Sequence, residues 1–196
     1  MKPFPLNKAF IFAPIIVFIL GTVFFVLNQF FVMPWEKIAL SELKNPRLVV
    51  KKKERLLQIF EGDELVKTYT IVLGFAPVGD KETEGDGKTP EGEFYVFVKN
   101  DKSKFYLSLG VSYPGVDNAK KGLAENFIST EEHDAIVEAV GKNQMPPQKT
   151  RLGGEIYIHG GGTLKDWTDG CIALRDEEMK ELFDAIPVGA RLRIEP

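Results

Sequence analysis

Residues 156–174 read IYIHGGGTLKDWTDGCIAL and hold Cys171, the one cysteine in 196 residues, and His159, one of two histidines. An apolar β-type run closes on His159, and a glycine-rich stretch follows it. Gly170 and Cys171 then lead into a second apolar run, Ile172 to Leu174. The pattern predicts two short strands, one ending on an imidazole and the other starting at a thiol just ahead of a helix.

The flanking sequence is mostly of strand type. RLVVKK (47–52), RLLQIF (55–60) and LVKTYTIVL (65–73) are rich in β-branched and aromatic residues, with Gly62 and Asp63 supplying a hairpin turn. EFYVFVK (93–99), KFYLSLGVSY (104–113) and ARLRIEP (190–196) add further strands, and PGVDNAKKG breaks the run after Tyr113. Two helices are expected. Ser129 and Glu132 have capping-box spacing ahead of a segment ending at Gly141, which puts His133 on the apolar face with Ile136, Val137 and Val140. Met179, Leu182, Phe183 and Ile186 form an amphipathic stripe, with Asp176 as the expected N-cap. The fold class is therefore mainly β with a few short helices (α+β), without internal repeats.

Composition bounds the rest. With 44% apolar residues the chain supports one well-buried domain. Ala9 to Leu27 is an uncharged apolar run of 19 residues, long enough to cross a bilayer and too long for a signal-peptide core. No small-x-small cleavage site follows it. The expected organisation is a transmembrane signal anchor over 1–35, a juxtamembrane tether over 36–46 and a catalytic domain over 47–196. Without Lys2 and Lys8 the remainder carries a formal charge of −5, which excludes a nucleic-acid binder. The GDGKT stretch (85–89) is not a phosphate-binding loop, since Glu82 stands where that loop needs glycine and Glu82, Glu84 and Asp86 would repel a triphosphate.

The chemistry centres on the thiol. A free cysteine ionises near 8.5 and attacks as a thiolate, so it needs a base, and His159 is the available imidazole. Gly170 permits unusual backbone angles beside the nucleophile, and the N–H groups of Gly170 and Cys171 are candidate oxyanion donors. Spacing alone leaves an inert buried cysteine as the rival. HGGG is similar to the oxyanion loop of serine esterases, but no G-x-S-x-G occurs in the chain. One cysteine and two distant histidines make no closed metal site, and no cofactor is implied. Asp169 either bonds its own turn or receives a substrate ammonium. Arg175 either binds a substrate carboxylate or is solvated at the helix start. Trp167 and Tyr113 either line the groove or pack in the core.

The whole pattern resembles the L,D-transpeptidase catalytic domain (YkuD) family. That signature is filled by His159 and Gly160, a spacer to Trp167, then Thr168, Asp169, Gly170, Cys171 and Ile172. GDGKTPEGEF and LGGEIYIHG are similar to further family stretches, and Trp167 to Leu174 match a WT-x-GCIAL branch. Asp169 stands where the family usually has histidine, and Ala173 where it commonly has Arg or Asn. The resemblance implies an L,D-transpeptidase-type β-sandwich behind the transmembrane helix. It also implies that Cys171 attacks a diaminopimelate carbonyl of a peptidoglycan stem peptide and expels the terminal D-amino acid, forming a thioester that an amine or water resolves. His159 would be the base and the Gly160 carbonyl its orienter, with carbapenem-type compounds as inhibitors. The expected location is the bacterial cytoplasmic membrane, single-pass, with the domain outside the cytoplasm. A carboxypeptidase or endopeptidase that trims stem peptides or releases wall-linked proteins is the alternative. A non-catalytic wall-binding domain is the alternative of another class.

Overall fold

The chain leaves its first hairpin as expected and then departs from a two-sheet design. The structure is a computed structural model and describes residues 39–196. The expected membrane segment, 1–35, lies outside the described residues, and among those described no helix is long and apolar enough to cross a membrane. β1 (Pro46–Lys51), β2 (Leu56–Glu61) and β3 (Glu64–Thr70) form an antiparallel meander, with β2 and β3 meeting at Gly62 and Asp63. There follow β4 (Gly92–Ser103), β5 (Tyr106–Val111), α1 (Val116–Ala124), α2 (Thr130–Gly141), β6 (Tyr157–His159), β7 (Ile172–Ala173), α3 (Asp176–Ala185) and β8 (Arg191–Glu195).

The expected sandwich is instead one sheet of order β3-β2-β1-β8-β4-β5-β6-β7. β4 is its joint. Gly92–Tyr95 pair with β8, the rest of the strand pairs with β5, and the register shifts between Val96 and Val98. Such a bulge bends a strand and increases its twist. The sheet curls far enough for its two ends to meet. Beyond β3, Val72 N–H donates to the Ala173 carbonyl (3.0 Å) and Ala173 N–H to the Val72 carbonyl (2.9 Å). Closure pairs edge groups that would otherwise be left open, and it brings the Val72–Gly74 segment alongside the stretch that carries Cys171.

One apolar cluster fills the curl. Leu48, Leu57 and Ile59 from the first strands, Leu109, Val111, Ile158 and Ile172 from the last, and Met179, Leu182 and Ile186 from the α3 side are all buried in it. Full burial of each such side chain is worth about 1.5–3 kcal/mol. Leu40 and Leu43 of the expected tether pack against this cluster, and the Glu61 carboxylate accepts the Lys44 and Asn45 N–H groups (3.1 Å each).

Two helix expectations meet different outcomes. The capping box of α2 forms, with Ser129 N–H donating to Glu132 Oε2 (2.9 Å) and Glu132 N–H to Ser129 Oγ (3.2 Å). The break read at PGVDNAKKG is in fact α1. Asn118 Oδ1 accepts the Gly115 N–H at its start (2.9 Å), and its buried residues are Ala119 and Gly122. Small residues give no apolar periodicity in sequence. They let the helix sit close to Leu152 and Ile128, where a Cβ on Gly122 would lie 2.8 Å from a Leu152 methyl.

Candidate active site

β6 and β7 are parallel neighbours, with Ile158 paired to Ile172 and His159 to Ala173. Paired residues share a face of a sheet, so the inward partners are Ile158 and Ile172, both fully buried. His159 therefore lies on the opposite face with Ala173, and Cys171, two residues earlier, precedes it on that side. The sulfur accepts the Tyr157 N–H at 3.4 Å, which ties it to the edge of β6. With strands about 4.8 Å apart and about 3.3 Å of rise per residue, the two Cα atoms are about 8 Å apart. No hydrogen bond joins the His159 ring to the Cys171 sulfur among the described residues: the ring bonds the Gly160 carbonyl, and the sulfur contacts the Tyr157 N–H and the Glu155 carbonyl.

His159 is held in one tautomer. Its Nδ1 lies 2.5 Å from the Gly160 carbonyl, which can only accept, so Nδ1 carries the proton and Nε2 keeps its lone pair. The ring stacks on Phe105 (centroids 4.7 Å, planes at 22°) and meets the edge of Trp167 (5.7 Å). Only 2% of His159 is exposed. Burial pushes its pKa down, against the Gly160 hydrogen bond that raises it, so the imidazole is neutral at neutral pH.

Cys171 is half-buried, and its thiol donates to the Glu155 carbonyl (3.5 Å). Burial pushes its pKa up to about 11. The Tyr157 N–H and the Lys81 ammonium work against that rise, and the Asp169 and Glu155 carboxylates add to it. The resting pair is thus thiol and neutral imidazole, not thiolate and imidazolium. Relative to a thiol of pKa 9.0, this leaves about 100-fold less thiolate at pH 7. Iodoacetamide alkylation of Cys171 should therefore rise about tenfold per pH unit from pH 7 to 10. A plateau below pH 8 would contradict this resting state.

The turn before the sulfur is closed by Thr168. Its hydroxyl donates to the Cys171 carbonyl (2.7 Å) and accepts the Gly170 N–H (3.2 Å). Gly170 has φ of 125°, and a Cβ there would lie 2.6 Å from the Lys88 carbonyl oxygen. The HGGG amides are also engaged: Gly160 with the Leu107 carbonyl, Gly161 with Asp176 Oδ1 (2.8 Å) and Gly162 with the Leu174 carbonyl. They shape the loop between the two strands.

The family model of the L,D-transpeptidase catalytic domain, YkuD, matches residues 45–194. The chain belongs to this family. It is accordingly an enzyme of the L,D-transpeptidase class, whose chemistry is peptidoglycan cross-linking. It is 27% identical over 155 residues to YqjB, a provisionally named L,D-transpeptidase of Bacillus subtilis (strain 168), covering 76% of this chain and 71% of that protein. Two solved structures share the fold. The helical cell shape determining protein Pgp2 of Campylobacter jejuni superposes with a TM-score of 0.53 at 22% identity over 77% of this chain and 47% of its own. Bd1075 of Bdellovibrio bacteriovorus does so with 0.51 at 20% over 78% and 48%. The chain thus spans about half the length of these two structures.

Other expected residues of this L,D-transpeptidase domain are redistributed. Tyr113 does not line the groove: it is fully buried, and its hydroxyl donates to the Leu152 carbonyl (2.9 Å). Trp167 is half-buried against His159, and its indole N–H donates to the Gly162 carbonyl (3.4 Å). Asp169 is exposed and, among the described residues, makes no hydrogen bond or ion pair. The local turn expected of it is made by Thr168. Arg175 is the N-cap residue of α3 and pairs with Glu178 (2.6 Å), while Asp176, expected as the cap, holds the glycine loop. In GDGKT, Asp86 organises the loop by accepting the N–H groups of Glu82 (2.8 Å), Thr83 (3.1 Å) and Lys88 (3.0 Å) and pairing with the buried Lys81 (2.9 Å). Among the described residues no group of histidine, cysteine and carboxylate side chains is arranged to hold a metal.

From sequence, Phe105 has no role, Thr168 is only a position of the family signature, and Asp176 is only a helix cap. A Thr three residues before the nucleophile is a local turn signal. Phe105 carries none, because its contact with His159 depends on the pairing of β5 with β6.

Proposed function

We propose that this protein is a membrane-anchored L,D-transpeptidase that cross-links peptidoglycan stem peptides through a thioester on Cys171. The observation that carries this reading is the parallel β6–β7 register, which sets a tautomer-fixed imidazole and a thiol on one face. Both are neutral at rest, so the proton moves as the bond forms. Cys171 Sγ adds to the diaminopimelate carbonyl while its proton passes to His159 Nε2. The oxyanion forms beside the Cys171 N–H, and the Gly170 N–H joins it by turning from Thr168 Oγ1. Collapse breaks the peptide bond, and His159 returns the proton to the leaving D-amino acid. An acceptor amine then attacks the thioester, passes its proton to His159, and Cys171 leaves and is reprotonated. Gly160 holds the imidazole in register throughout.

Asp169 gives the site a preference between acceptors. A free carboxylate two residues before the nucleophile attracts an ammonium-bearing substrate and does nothing for water. Trp167 walls the imidazole side. Arg175, at the mouth of α3, meets a substrate carboxylate only by leaving Glu178. The uncharged run from Ala9 to Leu27 supports a single-pass anchor in the cytoplasmic membrane, with the domain on the extracytoplasmic side where the wall polymer lies. Carbapenems would acylate the same sulfur.

Incubating the protein with tetrapeptide muropeptides and separating the products tests the reading. Dimers joined between two diaminopimelate residues are expected. Accumulation of tripeptides or freed wall proteins alone would make the protein a hydrolase, and no turnover would leave a wall-binding domain. Asp169→Asn should lower the ratio of dimers to tripeptides about 2–5-fold, the scale of an exposed ion pair. Added salt should shrink that difference. An unchanged ratio would remove Asp169 from acceptor choice.

A further inference from the structure

Arg55 has φ of 57°, a left-handed conformation that costs a residue with a side chain. Its side chain explains why the position is not glycine. Arg55 Nε lies 3.1 and 3.2 Å from the two carboxylate oxygens of Asp166, Nη2 lies 2.6 Å from Oδ2, and Nη1 donates to the Lys52 carbonyl. Asp166 Oδ1 also accepts the Leu73 N–H (2.9 Å). Burial works to raise the Asp166 pKa, and the Arg55 and Leu73 hydrogen bonds with the Arg55 charge outweigh it, holding the carboxyl below its usual range.

Two supports run from this carboxylate into the active site. Trp167 N–H and Thr168 N–H both donate to the Leu73 carbonyl (3.2 and 3.3 Å). Together with the Asp166 bond they fasten three consecutive residues to Leu73. Trp167 then presents its ring to His159 and to Phe105 (5.4 Å). Thr168 closes the Gly170–Cys171 turn. We propose that the Arg55–Asp166 ion pair is a positioning pair for acyl transfer, fixing the base through Trp167 and the nucleophile through Thr168 without touching substrate. The role in acyl transfer rests on the function proposed above.

Asp166→Asn retains an oxygen for the Leu73 N–H and removes the ion pair. Arg55→Lys retains the charge and removes the planar fork. In the full chain, each is expected to lower kcat about 10–100-fold, the scale of a small misplacement of reacting groups, with KM within about 3-fold of wild type. The double variant should lose little more than either single one, because the residues act as a unit. Each single variant should also shift the His159 titration followed by NMR and change the Cys171 alkylation rate at pH 9. A purely structural pair would lower Tm and leave kcat per folded molecule, the His159 titration and the alkylation rate at wild-type values, which would overturn the proposal. A rise in KM at unchanged kcat would overturn it too, by placing the pair against substrate. If Asp166→Asn does not fold, Arg55→Lys carries the same readouts. The NMR and alkylation arms need no substrate, so they decide the pair's effect on the site even if wild type turns over no stem peptide, an outcome that would sink the proposed function instead.

Discussion

Replacing His159 with glutamine is expected to lower turnover about 10²–10⁴-fold, the usual contribution of a positioned general base. Glutamine fits the chemistry of the contact but not of the proton. Its amide N–H can still donate toward the Gly160 carbonyl, though one bond further from the backbone than His159 Nδ1, which lies 2.5 Å from that oxygen. What it lacks is the Nε2 lone pair. With the thiol pushed up to about 11, no thiolate reserve exists at neutral pH to mask the loss. The stack on Phe105 goes as well, costing about 0.5–1.5 kcal/mol of stability, a drop that leaves the domain folded. Single-turnover acylation by a stem peptide is the measurement. A rate within tenfold of wild type would remove His159 from the base role.

Gly170→Ala should be nearly as damaging for a different reason. The residue has φ of 125°, and the added methyl would lie 2.6 Å from the Lys88 carbonyl and 3.1 Å from an Ile156 methyl. A backbone oxygen cannot swing aside as a side chain can. The loop that carries it is also pinned, since Lys52 Nζ donates to the Gly79 and Thr89 carbonyls and pairs with Glu91 (2.7 Å). Strain and overpacking together should cost about 2–5 kcal/mol, and the displaced sulfur should lose at least about 100-fold in rate. Gly162→Ala separates the two causes. Its φ of 96° imposes a similar backbone strain, yet a methyl there meets nothing within 4 Å. It should lose about 1–3 kcal/mol from strain alone, with a smaller change in rate. Equal losses in the two variants by thermal unfolding would show that contact with Lys88 does not matter.

The parts of the fold legible in sequence are those set by neighbours along the chain. β1, β2 and β3 announce themselves by β-branched runs and the Gly62–Asp63 turn, and α2 by Ser129 and Glu132. α1 was hidden because it packs through Ala119 and Gly122, whose fit depends on Leu152, about thirty residues away. Sheet closure was hidden too, since nothing local says that Val72 will pair with Ala173. At the site, Cys171 and His159 stand out by residue type, while their pairing and the role of Gly160 come only with the family resemblance. Their arrangement on parallel strands is not legible there, because strand direction is fixed by the long-range pairing of β5 with β6 and of β6 with β7. The turn chemistry was read onto Asp169, the residue that usually bonds its own backbone. Thr168 took that role because its short side chain reaches both the Gly170 N–H and the Cys171 carbonyl from inside the turn. That outcome leaves the Asp169 side chain exposed.

The thioester on Cys171 is the central claim, and intact-protein mass spectrometry after exposure to a carbapenem tests it most directly. Ring opening of the lactam by the sulfur loses no atoms, so wild type should gain the full mass of one drug molecule. Cys171→Ala should gain none. A wild-type protein that stays unmodified, or an adduct that survives Cys171→Ala, would contradict the assignment of Cys171 as the nucleophile.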